Sequence, residues 1–528
     1  MRTYNAASWL VDRHVARGGG DRVAIRCRGR STTYRALLSE VWRAQRALAE
    51  LGVRRGDRVA LVLDDGEAFF AWFLGALRSG VVPAPLPTVF PASDLGAMIA
   101  DAEAAAVVIG GAHRRDVEQL LATSPTTGSV VVVGCGDTVD ATTTTGRVGV
   151  HPWSSFEDCS EMPVADTTRD APGPWLYTSG TTGLPKAVVH RHGNLEASAD
   201  GYARAVLGAT GDDRFLSVPR MSCAYGLGNS LTFPFAVGAT SIVDPAQPTT
   251  AGIVDLVRGD RPTLLFTSPR VVAALVESGA TAADLRSLRL TVTAGEAMPA
   301  ELHRQFDERF EVPMIDGMGT TEALHIFLSN APDANRPGTS GMPVPGYELR
   351  LVDDEGREIL GSDTPGHLVV RGPSVAVADA AAPLPATPPD APVGDDLANR
   401  WLSTGDVYCR SSDDYWTFLG RSNDMIKVKD QWVAPAEVEA VLVDHPGVAD
   451  AAVVGARNRH GLETSVAYVA ARAGWRLDTE RLEVHCRTLL APHKVPRRIV
   501  VVEALPTTHS GKIRRDVLRG ARSRCRWH

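Results

Sequence analysis

The sequence predicts an α/β protein: a large N-terminal α/β region of several subdomains, residues 1–421, followed by a small α+β domain, residues 422–528. Three observations carry that prediction. Short apolar runs alternate with helical periodicities along the first four-fifths of the chain, which is the mark of strands and helices in alternation. After Gly420 the pattern restarts with helices and strands of its own. The length of 528 residues exceeds one ordinary core, and 44% hydrophobic with 22% charged residues leaves ample side chain to bury, which excludes disorder and collagen-like repeats.

The elements follow in order. Tyr34, Leu38, Val41, Ala44, Leu48 and Leu51 recur at helical spacing with charged residues between them, predicting an amphipathic helix. Gly56-Asp57 then opens a short strand over Arg58 to Leu63, and a second helix is expected around Phe69 to Leu77. Runs at Ala106 to Ile109, Val130 to Val133, Thr263 to Phe266 and Leu288 to Val292 repeat the strand pattern, so largely parallel sheets are expected. Two stretches lack periodicity, Thr138 to Thr145 and the Ala/Pro-rich Ala376 to Pro392, and are expected to be surface loops. In the small domain, helices are expected at Pro435 to Val443 and Thr479 to Leu490, strands at Ala451 to Val454 and Ser465 to Ala470, and a solvated basic tail at the end.

Composition narrows the function. The net charge of −7 offers nothing to recruit a polyanion, so nucleic acid is not an expected partner. Seven cysteines are scattered without a CxxC pair, which excludes a zinc site or disulfide framework and points to a reduced, cytoplasmic protein. No stretch is long and apolar enough for a membrane span, and the first residues lack the core of a signal peptide. Only Lys186, Lys427, Lys429, Lys494 and Lys512 are lysine among 55 basic residues, so each lysine is a candidate for specific work.

The strongest local motif is Tyr177-Thr-Ser-Gly-Thr-Thr-Gly-Leu-Pro-Lys-Ala-Val-Val-His190. Gly180 and Gly183 allow close backbone approach, while Thr178, Ser179, Thr181, Thr182 and Lys186 supply donors, a combination suited to a polyphosphate. The spacing to lysine is not that of a Walker A loop. A nucleotide-dependent phosphotransferase and a catalytically idle binding protein stand beside the ligase reading below; release of AMP and pyrophosphate rather than ADP separates the first from it.

This run resembles the phosphate loop of the adenylate-forming superfamily, which includes acyl- and aryl-CoA ligases, luciferase and nonribosomal peptide adenylation domains. The resemblance continues through Ala294-Gly295-Glu296-Ala297, similar to the adenine-binding turn, and Asp316-Gly317-Met-Gly319-Thr-Thr321-Glu322. It extends to Ser403-Thr-Gly-Asp406, Gly420-Arg421, and Pro506 to Arg515 with Ser510-Gly511-Lys512. Ala224-Tyr225-Gly226-Leu-Gly-Asn229 and Leu324-His325 to Asn330 are most similar to benzoate-CoA ligases. The resemblance implies ATP-dependent activation of a carboxylic acid to an acyl-adenylate, with pyrophosphate release, and then thioester formation with CoA. It implies Glu322 on Mg²⁺, Thr321 and the 178–183 loop on phosphates, Asp406 on the ribose, Arg421 supporting the nucleotide, and Lys512 bridging carboxylate and α-phosphate. The 224–226 segment, Gly319 and His325 would lie around the acyl group, although His325 also reads as an ordinary core histidine. A mobile small domain with the active site between the domains, and a homodimer, are expected by family analogy alone.

Three residues depart from the family pattern where CoA ligases open a pantetheine passage. Asn423 stands at the hinge, Asp430 replaces a glycine in Lys427-Val-Lys-Asp-Gln-Trp-Val433, and Cys223 occupies a gating position. Aspartate adds bulk and charge where glycine permits close approach. A second expectation therefore stands beside the full ligase: an adenylation-only enzyme that hands its acyl-adenylate to a separate thioesterifying partner. The acid is expected to be aryl or bulky and cyclic.

Overall fold

In the computed structural model, the described residues are 3–113, 129–133, 149–178, 185–376, 378–379, 401–428, 431–457, 463–507 and 513–521. The chain is α/β as expected, and it divides into two compact units, Met1–Glu348 with Arg371–Leu402, and Leu349–Val370 with Ser403–His528.

The larger unit is built on a nine-stranded sheet. Its strands lie in the order Met342–Pro343, Ile326–Ser329, Met314–Gly319, Leu290–Ala294, Leu264–Thr267, Arg214–Ser217, Thr240–Val243, Val23–Cys27 and Arg30–Thr33. Pairing is parallel from Met314–Gly319 through Val23–Cys27 and antiparallel beyond both ends of that run. A parallel strand is covered on both faces, which is why Leu264, Leu265 and Phe266 follow one another without alternation and the strand Leu264–Thr267 is buried throughout. Helices Thr250–Asp260, Pro269–Glu277 and Ala300–Phe310 supply Val257, Val272 and Phe306 to one core against Leu265 and Met314.

A second, five-stranded sheet is parallel throughout, in the order Val82–Pro85, Arg58–Val62, Ala106–Gly110, Ser129–Val133 and Gly149–Pro152. The expected first helix spans Tyr34–Glu50, capped by Thr33, whose hydroxyl accepts from the Ala36 amide at 3.2 Å. The second spans Glu67–Arg78. A three-stranded antiparallel sheet pairs Pro172–Thr178 with Lys186–Arg191, and Lys186–Arg191 with Ala378–Asp379. The Ala/Pro-rich stretch therefore differs from a plain loop at its start, because Ala378 and Asp379 complete a sheet edge against Val189 and Val188. Residues 380–392, the Thr-rich stretch 138–145 and the basic residues from Arg522 onward lie outside the described residues.

The smaller unit contains a four-stranded sheet in the order Glu348–Val352, Gly366–Arg371, Leu402–Arg410 and Trp416–Arg421, the last two of which pair antiparallel. It also contains a three-stranded sheet of Val448–Arg457, Glu463–Ala471 and Arg498–Val502, on which Pro435–Asp444 and Thr479–Leu489 bury Val438, Leu442 and Leu482. The expected hinge, residues 420–423, lies within this unit. There the Ser422 amide donates to Gly405 O at 2.8 Å, and the Asp424 and Met425 amides both donate to Arg421 O at 2.9 Å. Among the described residues no helix is long and apolar enough to cross a membrane, and Cys27, Cys159, Cys223, Cys409 and Cys486 are free thiols.

Candidate active site

Three of the sequence motifs of the larger unit leave the nine-stranded sheet at one end. Ser217, Ala294 and Gly319 close three parallel strands at their carboxyl ends, and the chain continues into residues 218–226, 295–297 and 320–325 respectively. Loops at the carboxyl ends of parallel strands form the crevice in which open α/β sheets bind ligands.

Two of these loops are neighbours by register, because Thr293 pairs with Asp316 and Ala294 with Gly317. Thr293 Oγ1 donates to Asp316 Oδ1 at 3.0 Å, and burial pushes the Asp316 carboxyl up to about 7. Gly295 makes the turn in the left-handed region, with φ at +93°. Glu296 lies 3.3 Å from the Arg270 guanidinium.

The 319–325 loop is held from several directions. Thr321 O accepts from the Leu324 amide and from His190 Nε2, both at 2.9 Å, and Glu322 O accepts from the Ala376 amide at 2.7 Å. A side chain at Gly319 would collide with the chain, since its Cβ would lie 2.6 Å from His325 O. His190 is fully buried and its pKa is pushed down to about 4 by desolvation, so it is a neutral donor that fixes the loop. Asn194 lies 3.3 Å from His190 Nδ1 and donates to Ser374 O at 2.8 Å. His190, Asn194 and Ser374 are absent from the residues expected on sequence; the only local signal is the polar His190 ending an apolar strand.

The half-buried Glu322 carboxylate makes no hydrogen bond or ion pair among the described residues. No group of three or more His, Cys, Asp or Glu side chains there is arranged to hold a metal. A single uncommitted carboxylate fits Mg²⁺, which is commonly held by one or two carboxylates together with substrate phosphates and water.

Beside this loop lies an aromatic cluster. The Tyr225 hydroxyl donates to Val292 O at 3.2 Å, and burial pushes its pKa well up. The His325 ring centre is 5.3 Å from that of Tyr225, 5.5 Å from Tyr202 and 4.4 Å from Phe233. His325 Nε2 donates to Asn229 Oδ1 at 3.0 Å, and burial lowers the His325 pKa to about 3. At 2% exposure His325 is buried within this aromatic cluster. Ala224 is buried and Tyr225 half-buried, while a Cβ at Gly226 would lie 2.5 Å from Pro219 O and closer to Arg220 O. Cys223 is exposed at the N-cap of the helical run over 224–237, and its thiol donates to Arg220 O at 3.0 Å.

Thr178 and Lys186 are opposite each other in an antiparallel pair, so the intervening chain leaves and returns at one point. Lys186 is exposed there. Ser179, Gly180, Thr181, Thr182 and Gly183 lie outside the described residues, as do Asp430 and Lys512.

In the smaller unit Asp406 and Arg421 are cross-strand partners, with Arg421 Nη1 3.0 Å from Asp406 Oδ1. Asp406 is 1% exposed while Arg421 reaches solvent, a buried acceptor beside an exposed cation. Asn423 O accepts from Arg519 at 3.2 Å, and Arg519 also pairs with Asp424.

Comparison with known proteins agrees with this geometry. The pattern of AMP-binding enzymes matches residues 11–377, and that of the AMP-binding enzyme C-terminal domain matches residues 437–512. The benzoate–CoA ligase of Thauera aromatica is 37% identical over 98% of this chain and 96% of its own length. The crystal structure of a benzoate CoA ligase from Burkholderia xenovorans LB400 superposes with a TM-score of 0.83 at 34% identity, covering 98% of this chain and all of that one. A p-hydroxybenzoic acid–AMP ligase of Mycobacterium marinum is 32% identical over 98% of this chain and 70% of its own length. With both patterns matched in order along a chain that carries the corresponding loops at one end of a parallel sheet, this protein belongs to the AMP-binding enzyme family, within the adenylate-forming superfamily.

Proposed function

We propose that this chain activates an aryl carboxylic acid with ATP and transfers the acyl group to CoA. The observation that carries the reading is the uncommitted Glu322 carboxylate on a braced loop next to the Tyr225 and His325 aromatic wall. The acid's carboxylate oxygen attacks the α-phosphorus, the bond to the bridging oxygen breaks, and pyrophosphate leaves with the electron pair. The CoA thiolate then attacks the acyl carbonyl carbon and AMP departs.

The approach of two anions is the difficulty, and the residues divide the work of easing it. Mg²⁺ bound at Glu322 would supply positive charge to the phosphates. Thr178, Ser179, Gly180, Thr181, Thr182, Gly183, Lys186 and Thr321 would bind and orient the phosphates. Gly295, Glu296, Ala297, Asp316 and Gly317 would border the adenine, and Asp406 would accept from the ribose hydroxyls with Arg421 beside it. Lys512 would bridge the attacking carboxylate and the α-phosphate. Ala224, Tyr225, Gly226, Gly319 and His325 would enclose the acyl group, whose flat apolar ring matches an aromatic wall. ATP and CoA are cytoplasmic metabolites, and the cytoplasm is where this activity would operate.

A second reading is favoured by one residue. Asp430 stands where the resemblance expects a glycine beside the thiol's passage, and the M. marinum relative is named an AMP ligase. On this reading the acyl-adenylate passes to a separate acceptor. Incubation with benzoate or 4-hydroxybenzoate, ATP and Mg²⁺, with and without CoA, distinguishes the two. Acyl-CoA forming as fast as pyrophosphate is released supports the ligase. Pyrophosphate release without acyl-CoA supports adenylation alone, and ADP in place of AMP refutes both.

A further inference from the structure

Two adjacent carboxylates, Asp64 and Asp65, lie between the strand Arg58–Val62 and the helix Glu67–Arg78. Asp64 is half-buried, accepts from Thr88 Oγ1 at 2.9 Å and faces His113 Nε2 at 3.1 Å. Asp65 is buried at 4% exposure, and both its oxygens accept from the Met221 amide, at 3.1 and 3.3 Å. The Arg220 guanidinium lies 3.9 Å from the same carboxylate; it also donates to Asp244 O at 2.6 Å and to Ala246 O. A carboxylate this deep is costly to bury, and its partners are the backbone and side chain of one segment. Burial pushes its pKa up to about 7, against the opposing pull of Arg220 and the Met221 amide.

That segment leads directly to the acyl pocket. Arg220 O accepts from the Cys223 amide at 3.1 Å and from its thiol at 3.0 Å, and Cys223 Sγ accepts from the Gly226 amide at 3.4 Å. The helix that follows starts at Ala224–Leu227 and continues without a break through Gly228–Thr232 and Phe233–Val237. The first amides of a helix have no partner within it, so the direction in which this run sets out depends on what holds the residues before it. The anchor is Asp65, 156 residues earlier in the chain than Met221.

We propose that Asp65 is a positioning residue for the acyl pocket: through the Met221 amide and Arg220 it fixes the turn that presents Ala224 and Tyr225, and thereby sets affinity for the aryl acid and not for ATP. This rests on the proposal that the 224–226 segment borders the acyl group. The test is pyrophosphate release with benzoate and with 4-hydroxybenzoate, measuring KM for acid and for ATP separately. Asp65→Ala leaves the Met221 amide without its acceptor and is expected to raise KM for the acid about tenfold, with KM for ATP within about twofold of the parent. Asp65→Asn keeps one oxygen toward the amide and is expected to fall between the two. If Asp65→Ala does not fold, Arg220→Gln, which leaves the Asp65–Met221 bond intact, gives the same split at smaller size. Tyr225→Ala is measured in parallel. A raised acid KM in Tyr225→Ala with equal changes, or none, in both KM values of the Asp65 and Arg220 variants overturns the positioning role and leaves the pocket standing. An acid KM unchanged in Tyr225→Ala removes both.

Discussion

Replacing Gly228 by alanine tests the packing of the aromatic wall in isolation. Gly228 has helical backbone angles, φ −59° and ψ −54°, which alanine adopts without strain. On propensity alone the substitution should stabilise a helical position by up to about 1 kcal/mol. The added methyl, however, would lie 2.8 Å from His325 Nε2 and closer still to Cδ2. The ring has nowhere to go, since Phe233 is at 4.4 Å, Tyr225 at 5.3 Å and Tyr202 at 5.5 Å from its centre. Overpacking of this kind costs about 1–3 kcal/mol, and displacing Nε2 from Asn229 Oδ1 adds about 1 kcal/mol. The expected net loss is therefore about 1–4 kcal/mol, read as a lower urea midpoint, together with a raised KM for the aryl acid because Tyr225 shares the contact. In the double variant with His325→Ala the penalty of the methyl should largely disappear, a coupling that a double-mutant cycle measures directly. Gly228→Ala with parental or higher stability and unchanged acid KM would refute the account of a wedged ring.

The remaining predictions concern charge. Glu322→Gln keeps the shape and removes the anion, so adenylation should fall by about two to three orders of magnitude and the Mg²⁺ concentration needed for half-maximal rate should rise; an unchanged Mg²⁺ requirement counts against Glu322 as its ligand. Lys512→Ala should lower pyrophosphate release by about 10²–10³ while leaving ATP binding by calorimetry nearly unchanged, because the contact belongs to the transition state. In mild acid, buried histidines and buried carboxylates pull stability in opposite directions. His190 and His192, lowered to about 4, and His325, lowered to about 3 by burial, are neutral when folded and protonate near 6.5 when unfolded, so their contribution is present above pH 6.5 and lost below it. Asp65 and Asp316, raised to about 7 by burial, act in the opposite sense, because the folded protein holds their protons between pH 7 and about 4 while the unfolded chain does not. His14 is lowered in the same way and Asp307 and Glu439 are raised in the same way, so the histidine share is read by difference: in His192→Asn the urea midpoint should change more favourably from pH 7 to pH 5 than in the parent, and an identical change would contradict it.

Much of the architecture was legible because it is local. The helix over Tyr34–Glu50 and the strand over Arg58–Val62 follow from spacing that any short window contains. The turn at Gly295 was legible for a related reason, since its backbone lies in the left-handed region that glycine adopts without cost. Local pattern also placed strands a residue or two early at Thr263 and Leu288. The structure begins them at Leu264 and Leu290; the Leu288 amide closes a turn onto Leu285, which keeps that residue out of the ladder.

By itself, then, the sequence determined the alternation of strands and helices, the order of the nucleotide motifs and the family to which they belong, since each depends on neighbours along the chain. Only the tertiary structure decided that residues 218–226, 295–297 and 320–325 leave one parallel sheet at its carboxyl end, that His190 braces Thr321 across 131 residues, that His325 meets Asn229 across 96, and that Asp65 anchors Met221 across 156. A lone buried histidine or aspartate has no periodicity to announce it. Its partner is chosen by the need to satisfy a polar group once water is excluded, and that need arises only when distant segments pack.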